Sequence, residues 1–280
     1  MSGIRGNEKK LFVKTVDSLC GRHSRWKIWN DMIWLFATSI ANAVDAEYRE
    51  KREKQYQDIA KNYSAAEMET FSELFAQLVM IFERGGYRDF LGELFMELNL
   101  GNDAGGQFFT PYSLCKMMAQ ISMPDIKEKV EKKGYIAIND CACGAGATLI
   151  AAADIMLNDY KINYQRSAMF VAQDIDYTTA LMCYIQLSLL GCAGYVKIGN
   201  SLTDPLTGHV LFGEQGDNIW RTPMYFSPVW EWRRQGVVMS RLFTGMEQAQ
   251  PEPAAPEPAI IQVSGKQAKR KPKGQLMFEI

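Results

Sequence analysis

The sequence predicts an α/β fold: a parallel sheet with crossover helices, preceded by a helical region and followed by a disordered C-terminal tail. Three observations carry this reading. Short apolar or β-branched runs, YIAIN (135–139), AMFVA (168–172) and YVKI (195–198), alternate with helix-like segments near 147–160 and 177–190, which is the pattern of βαβ units. Through the first hundred residues, apolar side chains instead recur every three or four positions, the period of a helix face. Beyond residue 245, EQAQPEPAAPEPA offers nothing from which a core can form. The expected division is 1–100, a helical N-terminal region; 101–245, the α/β domain; and 246–280, linker and tail.

In chain order, Trp26, Trp29, Ile33, Phe36, Ile40 and Val44 make the first helical face, and the charged run EYREKREKQYQDIAK reads as a solvated helix surface. Ser64 with Glu67 three residues on is a capping-box pattern. Phe71, Leu74, Phe75, Leu78 and Phe82 form the next stripe, which Gly85-Gly86 ends. Phe90, Leu91, Leu94, Phe95 and Leu98 form a third. Thr110 as N-cap with Pro111 at the first helical position starts the helix YSLCKMMAQI. Residues 206–245 are Gly- and Trp-rich and match no simple period.

Composition narrows the function classes. The 280 residues hold 31 Lys+Arg against 32 Asp+Glu, so any DNA contact must come from a local patch or a partner and not from overall charge. Six cysteines in a chain of this length form no disulfide framework. Cys141-x-Cys143 has no second pair at ligand spacing and there are only two His, so no metal is expected. No apolar stretch follows MSGIRGNEKK, and the longest uncharged run, between Asp31 and Asp45, is too short to span a bilayer. The expected location is cytoplasmic, with no membrane partner.

The strongest chemical signal is Asp140-Cys-Ala-Cys-Gly144-Ala-Gly146-Ala-Thr148, between strand YIAIN and helix LIAAADIML. Glycines at a strand-to-helix turn let the backbone approach a ligand. The helix N-terminus adds free N–H groups and a positive dipole end that suit a carboxylate. Asp140, at the strand end, is placed to accept from an ammonium group. The second signal is Gln173-Asp174-Ile175-Asp176. Asp174 is placed to hold ribose hydroxyls, Ile175 to pack on an adenine face, and Asp176 to cap the next helix. The third is Gly199-Asn200-Ser201-Leu202, where Asn200 can bond an adenine amine. Each has a plain alternative, a tight turn or a solvated loop carboxylate. Their order at three successive strand ends points to one nucleotide-like ligand.

GQFFTP, then a helix, then D-x-A-C-G-x-G-x-x-L-I closely resembles the modification (M) subunits of type I restriction systems and related N6-adenine DNA methylases. AQDIDYTTALMCYIQLSLLG resembles that family's second motif and GNSL its third, so the resemblance covers roughly 87–205. It implies a Rossmann-like class I methyltransferase core, S-adenosyl-L-methionine as cofactor and DNA as substrate, with a methyl group passing from sulfonium to an adenine amine. It also places Phe108, Thr110 and Pro111 over the cofactor. This sequence departs from the family in having Cys141 where Pro is usual and Asn200 where Asp is frequent. It also lacks the Asn/Asp-Pro-Pro-aromatic tetrad, whose polar oxygen holds the target amine while its ring stacks on a flipped base. The nearest segment is Thr222-Pro223-Met224-Tyr225, in which Tyr225 would stack and Thr222 would accept one hydrogen bond.

After the third strand only residues 206–245 remain before the linker, so the catalytic half of such a fold is expected to be shortened or missing. A protein partner supplying that half, or target recognition, follows as an expectation. The alternatives are a non-catalytic cofactor-binding or DNA-associated accessory protein, and an interaction module whose Gly loop binds nothing. The basic patch Lys266, Lys269, Arg270, Lys271 and Lys273 suits DNA phosphates. Gln275–Ile280 loosely resembles the short peptides that dock on the bacterial sliding clamp.

Overall fold

The computed structural model describes residues 2–100 and 110–244. Phe108, the linker, the basic patch and Gln275–Ile280 lie outside the described residues. The chain divides into two compact units, Met1–Val237 and Val238–Ile280. The core, the sheet and the candidate site belong to the first. Of the second, only the final turns of the last helix are described, and their Val238, Met239 and Leu242 are exposed. No described helix is long and apolar enough to cross a membrane.

Five helices precede the sheet: α1 (Ser2–Ser18), α2 (Arg25–Val44), α3 (Arg49–Ala60), α4 (Ala65–Gly85) and α5 (Phe90–Glu97). Their ends follow local chemistry. The Ser24 hydroxyl accepts from Lys27 N at the start of α2. The Ser64–Glu67 capping box opens α4, and Gly86, at φ 73°, ends it. Asp89 caps α5 through Gly92 N. The expected faces of α2, α4 and α5 pack into one core, with one correction: Trp26, in the first turn of α2, is 61% exposed.

A second correction concerns α3, which is not simply a solvated surface. Arg52 is buried. Its guanidinium pairs with Asp45 at 3.1 Å, donates to Ile219 O and lies 4.6 Å from the Trp220 ring centroid. Burial of two charges is tolerated here because each carries hydrogen bonds or an ion pair.

Helices α6 (Tyr112–Ser122) and α7 (Ile126–Lys133) lead into the sheet: β1 (Ile136–Asp140), α8 (Ala147–Asn158), one turn α9 (Tyr164–Ser167), β2 (Ala168–Asp174), α10 (Tyr177–Leu189), β3 (Ala193–Ile198) and β4 (Ile219–Arg221). Helix α6 begins one residue later than expected. Pro111 is its cap residue, its carbonyl accepting from Leu114 N and Cys115 N, and Thr110 lies just outside. The strand order is β1-β2-β3-β4. β1, β2 and β3 are parallel, with Asp140 level with Ala172 and Asp174 level with Ile198. All three carboxyl ends therefore share one edge of the sheet. β4 runs antiparallel to β3, from Ile219 beside Lys197 to Arg221 beside Tyr195, and so leaves at the opposite edge.

The helices and one face of the sheet bury a common core from Phe12 to Trp220. A smaller cluster covers the other face: Met169, Val171, Tyr195 and Leu211 with Tyr225 and Trp230. Trp230 belongs to α11 (Pro228–Thr244), and its indole N–H donates to Gln165 O at 2.8 Å.

Candidate functional site

At the carboxyl edge, the turn after β1 is held in a shape that leaves a helix start open. Gly144 and Gly146 have φ of 52° and 96°, a backbone region that glycine enters without steric cost. At Gly146 a Cβ would lie 2.8 Å from Cys183 Sγ, so this glycine also sets how closely the loop packs on α10. Gly146 is the cap position of α8, and no side chain caps that helix. The first N–H groups of a twelve-residue helix thus point out of the loop with no side-chain acceptor supplied.

The carboxylates hold this turn together. Asp140 accepts from Ala142 N at 3.1 Å and from the Thr148 hydroxyl. Asp174 accepts from Gly144 N at 2.8 Å through one oxygen, and from Asp176 N at 2.9 Å and the Thr179 hydroxyl at 3.3 Å through the other. It therefore stitches the turn after β2 to the glycine loop while keeping one lone pair, on Oδ2, for a further donor. Asp176 caps α10 through Thr179 N, as its position implied.

Ile175 is 68% exposed, an apolar side chain standing in solvent at this edge. Asn200, after β3, has Oδ1 occupied by Leu202 N, which leaves its amide donors. The loop that carries Asn200 is tied to β2 by buried Gln173, whose amide donates to Gly199 O and Asp204 O and accepts from Leu206 N. Thr110 and Pro111 are exposed at the start of α6. The next turn of that helix brings Cys115 into an apolar cluster with Ala147 at the start of α8. Burial, together with the carboxylates of Asp89 and Asp140, raises the Cys115 thiol above its ordinary range. The beginning of α6 is thus a neighbour of the glycine loop.

Sequence reasoning missed the support behind the loop. Gln186, in α10, donates to Ala145 O at 2.8 Å and to Asp89 Oδ1 at 2.7 Å, and accepts from Leu91 N. Burial lifts the Asp89 carboxyl above the usual range against these hydrogen bonds. Cys143 is buried; contact with Cys183 and burial raise its thiol well above the ordinary value, whereas Cys141 is exposed. The one sequence cue was a glutamine inside the apolar run of α10 and an aspartate directly before the apolar run of α5.

The structure does not bring Thr222 and Tyr225 to this site. Both follow β4, whose reversed direction carries them to the other edge of the sheet. The Thr222 hydroxyl is fully buried, donates to Cys192 O at 2.7 Å and accepts from Gly194 N at 3.0 Å. Tyr225 donates to Phe212 O and packs against Tyr195 and the Arg234 guanidinium. Tyr225 belongs to the second core cluster, and Thr222 ties the end of β4 to β3. Among the described residues, no group of His, Cys, Asp or Glu is arranged to hold a metal ion.

Comparison with known proteins gives one family. No curated protein and no solved structure matches the chain. The model of the family described as N-6 DNA Methylase matches residues 89–254, from the cap of α5 through the glycine loop and all four strands. On that match, which covers more than half of the sequence, the chain belongs to the N-6 DNA methylase family.

Proposed function

We propose that the protein is the S-adenosyl-L-methionine-binding part of an adenine-N6 DNA methyltransferase, on a Rossmann-like half sheet, with the groups that hold the target base supplied from outside the described residues. The observation that carries this reading is the bond from Gly144 N to Asp174, which fixes two ligand-binding turns against each other beside an uncapped helix start. A nucleoside joined to an amino acid suits such an edge. The α8 N-terminus faces the methionine carboxylate and Asp140 the ammonium. Asp174 takes the ribose hydroxyls, Ile175 covers the adenine, and Asn200 meets its ring edge. Thr110 and Pro111, exposed at the start of α6, cover it from above, and Phe108, outside the described residues, is assigned to the cofactor by the family resemblance alone. Bound there, the cofactor supplies an electrophilic methyl group on sulfur.

The acceptor side is what the described residues lack. An exocyclic adenine amine needs hydrogen-bond acceptors beside the methyl group and a ring beneath the base. Thr222 and Tyr225 do not serve, since their polar atoms are engaged at the far edge. The same observation favours a second reading, a DNA-associated accessory protein that binds the cofactor without transferring its methyl group. DNA remains the proposed nucleic-acid partner under both readings, and the sliding clamp a proposed contact of Gln275–Ile280.

Calorimetric titration with S-adenosyl-L-methionine tests the common part. Micromolar binding that Asp140→Ala abolishes supports it; no binding to folded protein overturns it. Labelled-methyl transfer to DNA, by the chain alone and with its cellular partners present, then separates the two readings.

A further inference from the structure

Besides covering the sheet, the amino-terminal helices shape a cleft with the start of α10. On α3, Gln55, Asp58 and Ile59 have the i, i+3, i+4 spacing that sets side chains on one helix face. Trp34 of α2 and Tyr177, the first residue of α10, complete the lining. The space among these five residues is about 350 Å³ and opens to solvent. That is the lower end of the roughly 300–1,000 Å³ of small-ligand clefts.

Its aromatic wall is fixed from behind. The Trp34 and Tyr177 rings lie 4.6 Å apart between centroids, tilted by 36°. Trp34 meets Trp220 edge-on at 5.4 Å, and Trp220 in turn carries the Arg52 guanidinium. The Thr178 hydroxyl donates to Asn30 and pins the start of α10 to α2. A ring stack held in this way loses little freedom when a further ring joins it. Tyr177 nevertheless keeps 40% of its surface exposed. Its hydroxyl and the Gln55 amide make no hydrogen bond among the described residues. Asp58 accepts from Lys61 at 2.8 Å through Oδ1, which leaves Oδ2. Lys61, and after it Lys54, hold the Asp58 carboxyl below its ordinary range, so it stays ionised and only accepts.

Exposed ring, amide and ionised acceptor together suit an unpaired base that carries an amine. Bases stack on aromatic faces. A glutamine amide pairs with adenine N6 and N7, and an acidic side chain accepts from a base amine. Thymine presents a carbonyl oxygen where adenine has its amine, and Asp58 repels it. We propose that this cleft binds an unpaired adenine, carried by a nucleic-acid strand or by a free mononucleotide, stacked on Tyr177 and read by Gln55 and Asp58. Lys54 and Lys61, beside Asp58, supply positive charge for the attached phosphate. None of the five lining residues is among those given to the cofactor, so the inference does not rest on that reading. The adenine held here is additional to any base that accepts a methyl group.

The test is calorimetric titration of the full chain with adenosine monophosphate, with a deoxyadenosine hexanucleotide and with thymidine monophosphate. The two adenine probes should bind and the thymidine probe should not. A hexanucleotide at least tenfold tighter than the mononucleotide identifies a strand as the source; equal or weaker binding identifies the free nucleotide. Tyr177→Ala should weaken the adenine probes at least tenfold, and Tyr177→Phe should restore them, because only the ring is used. Gln55→Ala and Asp58→Asn, both at exposed positions, should each cost about tenfold and leave S-adenosyl-L-methionine affinity as in the parent. Asp174→Ala should do the reverse, so failure here and failure of the cofactor site are read separately. No saturable binding of either adenine probe, equal binding of thymidine monophosphate, or displacement of adenosine monophosphate by S-adenosyl-L-methionine would each overturn the proposal. Photolabelling with 8-azidoadenosine monophosphate should mark Trp34, Tyr177 or α3; label confined to Ile175 or Asn200 would assign the ligand to the cofactor site instead.

Discussion

Asp174 joins two turns through three donors, so its loss is felt beyond one contact. Asp174→Ala leaves Gly144 N and Asp176 N without their acceptor, and each such loss costs about 1–3 kcal/mol where water cannot substitute. Cofactor affinity should fall at least tenfold by calorimetry, with Asp174→Asn intermediate; an unchanged affinity would remove this residue from the site. Gly146→Ala combines a left-handed backbone with a clash at Cys183 and should cost about 1–3 kcal/mol of stability, visible as a lowered Tm. At this scale much was legible from sequence. Asp140, the two glycines and the Asp176 cap follow from their position at strand ends and helix starts. The engagement of Thr222 was not, because its partners Cys192 and Gly194 lie about thirty residues away and only a reversed strand brings them alongside.

The elements show the same limit. The three parallel strands announce themselves by short apolar or β-branched runs, of which β2 and β3 are buried and β1 is half-buried, and the capping box fixes the start of α4. β4 has three residues, too few for any period, and its direction is set by pairing with β3. The loop between β3 and β4 depends on charges that a sequence cannot pair. Lys197, buried in β3, holds Asp204 and Glu214 at 2.8 and 2.7 Å. Hydrogen bonds from Lys197, then Thr207, lower the Glu214 carboxyl to about 2. A group whose folded value is depressed stabilises the fold above its unfolded value and loses that contribution as pH falls towards the folded one. Stability should therefore decline as pH drops from about 4.5 towards 2, and Glu214→Gln should flatten that decline in acid denaturation curves. Arg52 is the other hidden tie. Arg52→Ala leaves buried Asp45 with Glu47 N and, as its remaining cation, Arg221 at 4.0 Å, and should cost about 3 kcal/mol in chemical denaturation.

On the scale of the whole molecule, the family match and the four-stranded sheet agree on an α/β chain of the N-6 DNA methylase family. The sequence itself carries no Pro-Pro-aromatic tetrad. It did not foretell how the first hundred residues relate to the rest. Arg52 reaches from α3 across to the Ile219 carbonyl and the Trp220 ring, and α2 rests on α10 through Trp34, Tyr177, Asn30 and Thr178. The amino-terminal helices are thus the lid of the same box. A fragment starting near residue 101 would expose the broad apolar flank of α10 and strand a carbonyl and an indole that now share one cation. Such a fragment should be insoluble when expressed alone, and the intact chain should melt its helices and its sheet in one transition. Anyone wishing to graft this glycine loop and its strand ends onto another protein will have to carry their helical prologue along.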